Sequence, residues 1–130
     1  MKQIQQDIIK AIRCHSNFRS GSAKGSGYAR RDGLTGDRDK LSWCKDEFRY
    51  ELWSHGIAFG NAADKKLYIS TCGYNTATTV SRLNAVFAGF DIPMAAVIRK
   101  QCTVFMLNGH DIESSRDTKV SAGAWSVTFI

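Results

Sequence analysis

Apolar residues recur in this chain with two different spacings, and this change of period constrains the fold more than any other sequence feature. Residues 2–13 place Ile4, Ile8 and Ile12 on one face of a helix, and residues 76–90 show a second helical pattern. Elsewhere apolar and polar residues alternate in short runs, as in strands. The pattern predicts an α+β domain of two layers, with an antiparallel sheet packed against one or two helices.

The predicted order of elements is roughly α-β-β-β-α-β-β-β. The strand-like runs fall near residues 48–53, 57–59, 67–71, 94–99, 102–107 and 125–130. Asn108-Gly109 predicts a hairpin turn leading into residues 110–112, because both residues tolerate positive φ. A length of 130 residues is typical of one domain, so we expect a single domain over residues 1–130.

Residues 19–40 interrupt this pattern. They are rich in glycine, serine and charge and contain few large apolar residues, which predicts a flexible loop. Residues 1–40 carry nine Lys or Arg against four Asp, whereas residues 41–130 carry nine basic against eight acidic residues. Most of the net charge of +6 therefore lies in the first third of the chain. Such a distribution favours an acidic partner, although it also serves solubility.

This basic loop is the first candidate binding surface. Its cations and one interleaved aromatic residue are Arg19, Lys24, Tyr28, Arg30, Arg31, Arg38 and Lys40. Such residues can follow a phosphate backbone and stack on a base, but they can also contact a protein or remain solvated. Asp32, Asp37 and Asp39 dilute the charge, so the sequence leaves these three interpretations open.

The start of the second predicted helix is the other candidate binding site. Asn75, Thr76, Thr78 and Arg82 combine hydroxyl groups, an amide and a cation with the free N–H groups of a helix N-terminus. Such a set can hold an anion such as a phosphate. Helix capping by the same polar residues is the favoured interpretation.

The sequence predicts no catalytic residue, metal or cofactor. It lacks the motifs of a nucleophile elbow, a zinc protease and a phosphate-binding loop. A site using His15, His55 or His110 would need partners from distant segments. Four cysteines stand 28 to 30 residues apart without a C-x-x-C pair, and we expect them to be buried free thiols: Cys14, Cys44, Cys72 and Cys102.

No apolar run approaches the roughly 20 residues that span a bilayer, and the opening segment alternates charge with isoleucine. We therefore expect a protein of the cytoplasm with no membrane partner.

Residues 51–87 contain a motif in which a strand ends near His-Gly and a Gly-aromatic turn precedes Thr-x-Thr-Thr-x-x-Arg-Leu-Asn at a helix start. The matching positions are His55, Gly56, Gly73, Tyr74, Thr76, Thr78, Thr79, Arg82, Leu83 and Asn84. This segment resembles a group of small proteins encoded by tailed phages and prophages. The resemblance implies expression in the cytoplasm of a host cell.

The resemblance also implies an accessory protein that binds a host or defence-system protein and blocks it without catalysis, for example a CRISPR–Cas inhibitor. Because the chain is basic, we expect it to contact an acidic surface or a composite of protein and nucleic acid. The alternative is direct nucleic-acid binding through residues 19–40 and Arg82.

Overall fold

The structure is a computed structural model that describes residues 2–20 and 37–130 of the chain. Within these ranges helix α1 spans Gln3–Arg13 and helix α2 spans Ala77–Gly89. The strands are β1 Phe18–Ser20, β2 Asp39–Cys44, β3 Glu47–Leu52, β4 His55–Asn61, β5 Lys66–Ile69, β6 Met94–Arg99, β7 Cys102–Leu107, β8 His110–Ile112, β9 Lys119–Ala122 and β10 Trp125–Phe129.

Seven strands form a large sheet in the order β1-β2-β3-β4-β5-β10-β9. Neighbouring strands are antiparallel except β5 and β10, which are parallel. A row of directly paired and buried residues crosses five of these strands: Leu41, Tyr50, Ala58, Ile69 and Phe129. Because side chains alternate along each strand, this row defines an inner, core-facing side of the sheet and leaves the opposite residues on an outer side.

Strands β6, β7 and β8 form a second, antiparallel sheet. Asn108 and Gly109 make the turn between β7 and β8 at φ values of 51° and 84°. Helix α2 closes the free edge of β6, since the Asn84 side chain accepts from the Ala96 N–H at 2.7 Å and donates to the Ala96 carbonyl at 2.9 Å. The Asn84 amide thus bonds both the N–H and the carbonyl of Ala96 at the edge of β6, and these two bonds connect the small sheet to α2.

One apolar core joins both helices to the two sheets. Ile8 and Ile12 of α1 are buried, as the isoleucine stripe predicts. The two helices approach closely at Gly89. A Cβ atom added to this glycine would lie 2.9 Å from the Ile12 side chain. Phe105 of the small sheet packs against Phe129 of the large sheet, with 4.9 Å between ring centroids. The small sheet therefore packs on the same inner side as the core.

The predicted α+β fold class is confirmed. Helix α2 and strands β6, β7 and β8 match their predicted positions closely. The parallel pairing of β5 with β10 and the second sheet were not predicted, because alternation reveals a strand but not its neighbour. The predicted bounds of the 19–40 loop are wrong at both ends, since residues 19–20 and 39–40 belong to strands, and residues 21–36 lie outside the described residues.

The prediction of buried cysteines is wrong, because all four thiols are free and exposed. Cys14 follows α1, Cys44 ends β2, Cys72 lies in a turn and Cys102 begins β7. At such boundaries the chain leaves the core, and the spacing of cysteines along the sequence carries no information about burial.

Candidate functional site

The start of α2 is capped by its own residues. The Thr76 Oγ1 atom accepts a hydrogen bond from the Thr79 N–H at 3.2 Å and lies 3.1 Å from the Thr79 hydroxyl. Thr79 is buried, whereas Thr78 is exposed on the first turn. The Thr76 side chain thus satisfies one of the free N–H groups of the helix, in agreement with the capping interpretation.

Asn75 links the same helix start to the small sheet. Its Oδ1 atom accepts from the Thr103 N–H at 3.2 Å and from the Thr103 hydroxyl at 2.7 Å. Both residues line a small open hollow of about 130 Å³ between the two sheets. Asn75 therefore positions β7 relative to α2.

Arg82 lies one turn further along α2 in a buried ion pair. Its Nε donates to Asp39 Oδ1 at 2.7 Å, and its Nη2 lies 3.5 Å from Asp39 Oδ2. Asp39 has no exposed surface, and Arg82 is 6% exposed. The guanidinium of Arg82 is therefore engaged by a carboxylate of the chain itself.

Three further side chains complete the hydrogen bonds to Asp39. The Tyr50 hydroxyl donates to Oδ1 at 2.6 Å, while Ser20 Oγ and Arg38 Nε donate to Oδ2 at 2.9 Å and 2.7 Å. We call these five residues the Asp39 network. It joins β1, β2, β3 and α2 at one edge of the core.

The Asp39 network sets the protonation states of its own members. Burial alone would raise the pKa of Asp39, but hydrogen bonds from Arg82, Tyr50 and Arg38 outweigh burial and hold its pKa below the ordinary value. Burial, followed by the negative charge of Asp39, raises the pKa of Tyr50. At neutral pH Asp39 is therefore an ionised acceptor and Tyr50 a protonated donor.

The Asp39 network also fixes the two points where residues 21–36 join the described structure. Ser20 is paired with Asp39 across β1 and β2, and the Arg38 N–H donates to the Ser20 carbonyl at 3.0 Å. Ser20 and Arg38 both reach the same carboxylate. The residues on either side of this segment are thus bonded to each other and to the same carboxylate.

Of the predicted basic surface, Lys24, Tyr28, Arg30 and Arg31 lie outside the described residues. The remaining cations separate into two groups. Arg38 turns inward to Asp39, whereas Arg19 and Lys40 are direct partners across β1 and β2 on the outer side of the sheet. Arg19 also lies 3.7 Å from the Asp37 carboxylate.

The structure brings Arg38 and Arg82 together at Asp39, but it does not join the exposed residues of the helix start to the basic strands. From the sequence alone Asp39 only dilutes the basic charge, and its role as the acceptor for Arg38 and Arg82 is not evident. One signal was present: Asp39 and Lys40 begin a strand, so alternation turns Asp39 to the opposite side of the sheet from Lys40.

Two of the three histidines lie near aromatic residues. His15 stacks on Trp43 at 4.2 Å between ring centroids, and the His55 Nε2 lies 3.5 Å from the Tyr74 hydroxyl. Within residues 2–20 and 37–130 no group of three or more His, Cys, Asp or Glu side chains has a geometry that can hold a metal ion. Neither helix of the described ranges has the length and apolar composition of a membrane span.

No curated protein and no solved structure matches the chain. Residues 1–125 match the family model described as Kyanoviridae Gp96 protein. The match covers nearly the whole chain, including the helix-start motif, and it confirms the resemblance to phage proteins. The chain therefore belongs to the Kyanoviridae Gp96 family of cyanophage proteins.

Proposed function

We propose that this chain is a phage accessory protein that binds a host or defence-system protein without catalysis. In this proposal residues 21–36 and their basic flanks form the contact, and inhibition of a CRISPR–Cas component is one concrete form. The observation that supports the proposal is the Asp39 network, which fixes both ends of this segment to the core.

Binding residues are often carried on connecting segments that a rigid scaffold positions. Here four side chains, three of them from β1, β3 and α2, converge on one buried carboxylate close to both ends of residues 21–36. The segment itself supplies Lys24, Arg30 and Arg31 against a single Asp32. Its positive charge would attract an acidic protein surface and increase the association rate.

The test replaces residues 21–36 by Asn-Gly, a sequence that closes antiparallel strands through a tight turn. The β1–β2 pairing and the Asp39 network remain in this shortened chain, so its melting temperature should stay close to that of the full chain. Both chains are then used to capture proteins from nuclease-treated host lysate. We expect a discrete host protein to bind only the full chain.

The control is Lys100→Ala, which removes an exposed cation from the β6–β7 turn of the small sheet. It should capture the same host protein as the full chain. Equal capture by the full and shortened chains would contradict the proposed contact.

Nucleic-acid binding through the same basic region is the second candidate. The observation that favours it is the adjacency of Arg19 and Lys40 on the outer side of the sheet. The buried pairing of Arg82 with Asp39 removes one cation from the predicted set. This candidate predicts that Arg30→Ala/Arg31→Ala weakens binding to every sequence and reduces its salt dependence. Unchanged affinity would exclude a contribution from these two arginines.

A further inference from the structure

The outer side of the large sheet carries its own row of directly paired residues. The row crosses six strands and consists, in spatial order from β2 to β9, of Ser42, Arg49, Phe59, Tyr68, Thr128 and Lys119. Adjacent strands lie about 4.8 Å apart, so these side chains form a continuous strip across the sheet. We call this strip the outer row.

Two aromatic rings occupy the middle of the outer row. The ring centroids of Phe59 and Tyr68 are 5.2 Å apart, and their planes differ by only 12°. Both residues are half-buried, although they lie on the side of the sheet opposite the core. A pair of nearly parallel rings on such a surface gives planar bases a place to stack.

Arg49 is held directly beside this aromatic pair. It is the cross-strand partner of Phe59, and its Nε lies 3.0 Å from Glu51 Oε1. A Cβ on Gly56 would come within 2.6 Å of the guanidinium. The glycine therefore leaves room for the guanidinium to lie against the backbone of β4 at Gly56.

The charge of this side of the sheet is positive. The strand registers place five cations on it, namely Arg19, Lys40, Arg49, Lys66 and Lys119. The same registers place two carboxylates there, Glu47 and Glu51. Among the described strand residues, cations therefore outnumber carboxylates on this side of the sheet. They lie on both sides of the aromatic pair, towards β1 and towards β9.

We infer that the outer side of the large sheet binds a single-stranded polynucleotide. Bases would stack on Phe59 and Tyr68 while the phosphates approach the surrounding cations, which is how antiparallel sheets with surface aromatics bind single strands. A duplex hides the faces of its bases within its own stack, so it cannot use the two rings. The inference goes beyond the proposed protein contact and also beyond the second candidate, because it depends on the stacked rings of Phe59 and Tyr68 and not on residues 21–36.

The experiment titrates fluorescent oligothymidylate and oligouridylate of about 12 nucleotides into the full chain and measures anisotropy. A duplex of the same length is titrated in parallel, and the salt concentration is varied between about 50 and 200 mM. We expect at least one single strand to bind more tightly than the duplex. Phe59→Leu and Tyr68→Leu should each raise Kd by about 10-fold, since a stacking ring is lost.

Three controls separate stacking from charge. Tyr68→Phe keeps the ring and should bind like the unmodified chain. An abasic oligonucleotide keeps the phosphates, so Phe59→Leu should not change its Kd. Lys119→Gln should reduce the slope of log Kd against log salt by about 0.7, whereas Lys100→Gln in the β6–β7 turn should leave the slope unchanged.

Circular dichroism melting establishes that each variant is folded before its Kd is compared. The inference is overturned if neither single strand binds, or if the duplex binds as tightly as both. It is also overturned if folded Phe59→Leu and Tyr68→Leu chains bind with unchanged Kd.

Discussion

Replacing Arg82 by methionine tests the structural role of the Asp39 network. The substitution keeps most of the aliphatic length of the side chain but removes a donor that lies 2.7 Å from a fully buried carboxylate. Loss of one partner of a buried ion pair costs about 3 to 5 kcal/mol, because the remaining charge is left without compensation. Tyr50, Ser20 and Arg38 still donate to Asp39, so we expect a loss near the lower limit, about 3 kcal/mol.

The free energy of unfolding is measured by urea titration, followed by tryptophan fluorescence. At an m-value of about 1 to 3 kcal/mol/M, this loss lowers the urea midpoint by about 1 to 3 M. The matched control is Arg99→Met, which breaks the half-exposed pair with Asp111 and should cost less than about 1 kcal/mol. Adding Asp39→Asn to Arg82→Met should restore part of the lost stability, because it removes a buried charge that has lost one of its two guanidinium partners. Equal losses for Arg82→Met and Arg99→Met would refute this account of the network.

Further predictions concern pH, the helix cap and the edge of the small sheet. Because the pKa of Asp39 is held below its unfolded value of about 3.9, its contribution to stability is complete above that pH and is lost as the pH falls below it. Unfolding free energies measured between about pH 5 and 2 should therefore fall more steeply for the unmodified chain than for Asp39→Asn. Thr76→Ala should lower the unfolding free energy by about 1 kcal/mol, whereas Thr78→Ala should change it by less than about 0.5 kcal/mol in the same titration. Asn84→Leu leaves the backbone groups of Ala96 without their side-chain partner and should cost about 2 kcal/mol in urea titration; a loss below about 0.5 kcal/mol would contradict this role.

The helices and several strands could be predicted because their signals are local. The isoleucine spacing of α1 and the Asn108-Gly109 turn each depend on residues that are close in the chain. The parallel pairing of β5 with β10 joins residues 66–69 to residues 126–129, and no local pattern encodes such a contact. Short strands such as β1 and β9 could not be predicted either, because three or four residues are too few to show an alternation of polar and apolar side chains.

The helix-start motif shows the same limit at the level of the site. Its polar residues suggested an anion site or a cap, but the structure uses Thr76 as the cap, Arg82 as the partner of Asp39 and Asn84 as the partner of Ala96. Two of these partners are not near neighbours in the chain: Asp39 lies 43 residues from Arg82, and Ala96 lies in the small sheet. Residue type indicated hydrogen bonding correctly, whereas the identity of each partner required the tertiary structure.

The outer row also could not be predicted from the sequence. Phe59 and Tyr68 fall in different strands, and their stacking depends on the register between β4 and β5. Strand alternation alone predicts that one side of each strand faces away from the core, but it does not show which residues of neighbouring strands become partners.

The most direct test of the proposed function is site-specific photo-cross-linking from residues 21–36. A benzoylphenylalanine at Tyr28 is irradiated in nuclease-treated host lysate, and the same group at the exposed Ser115 serves as the control position. We predict one discrete protein adduct from position 28 and none from position 115. The absence of a protein adduct at position 28, or the same adduct from both positions, would contradict binding of a host or defence-system protein through this segment.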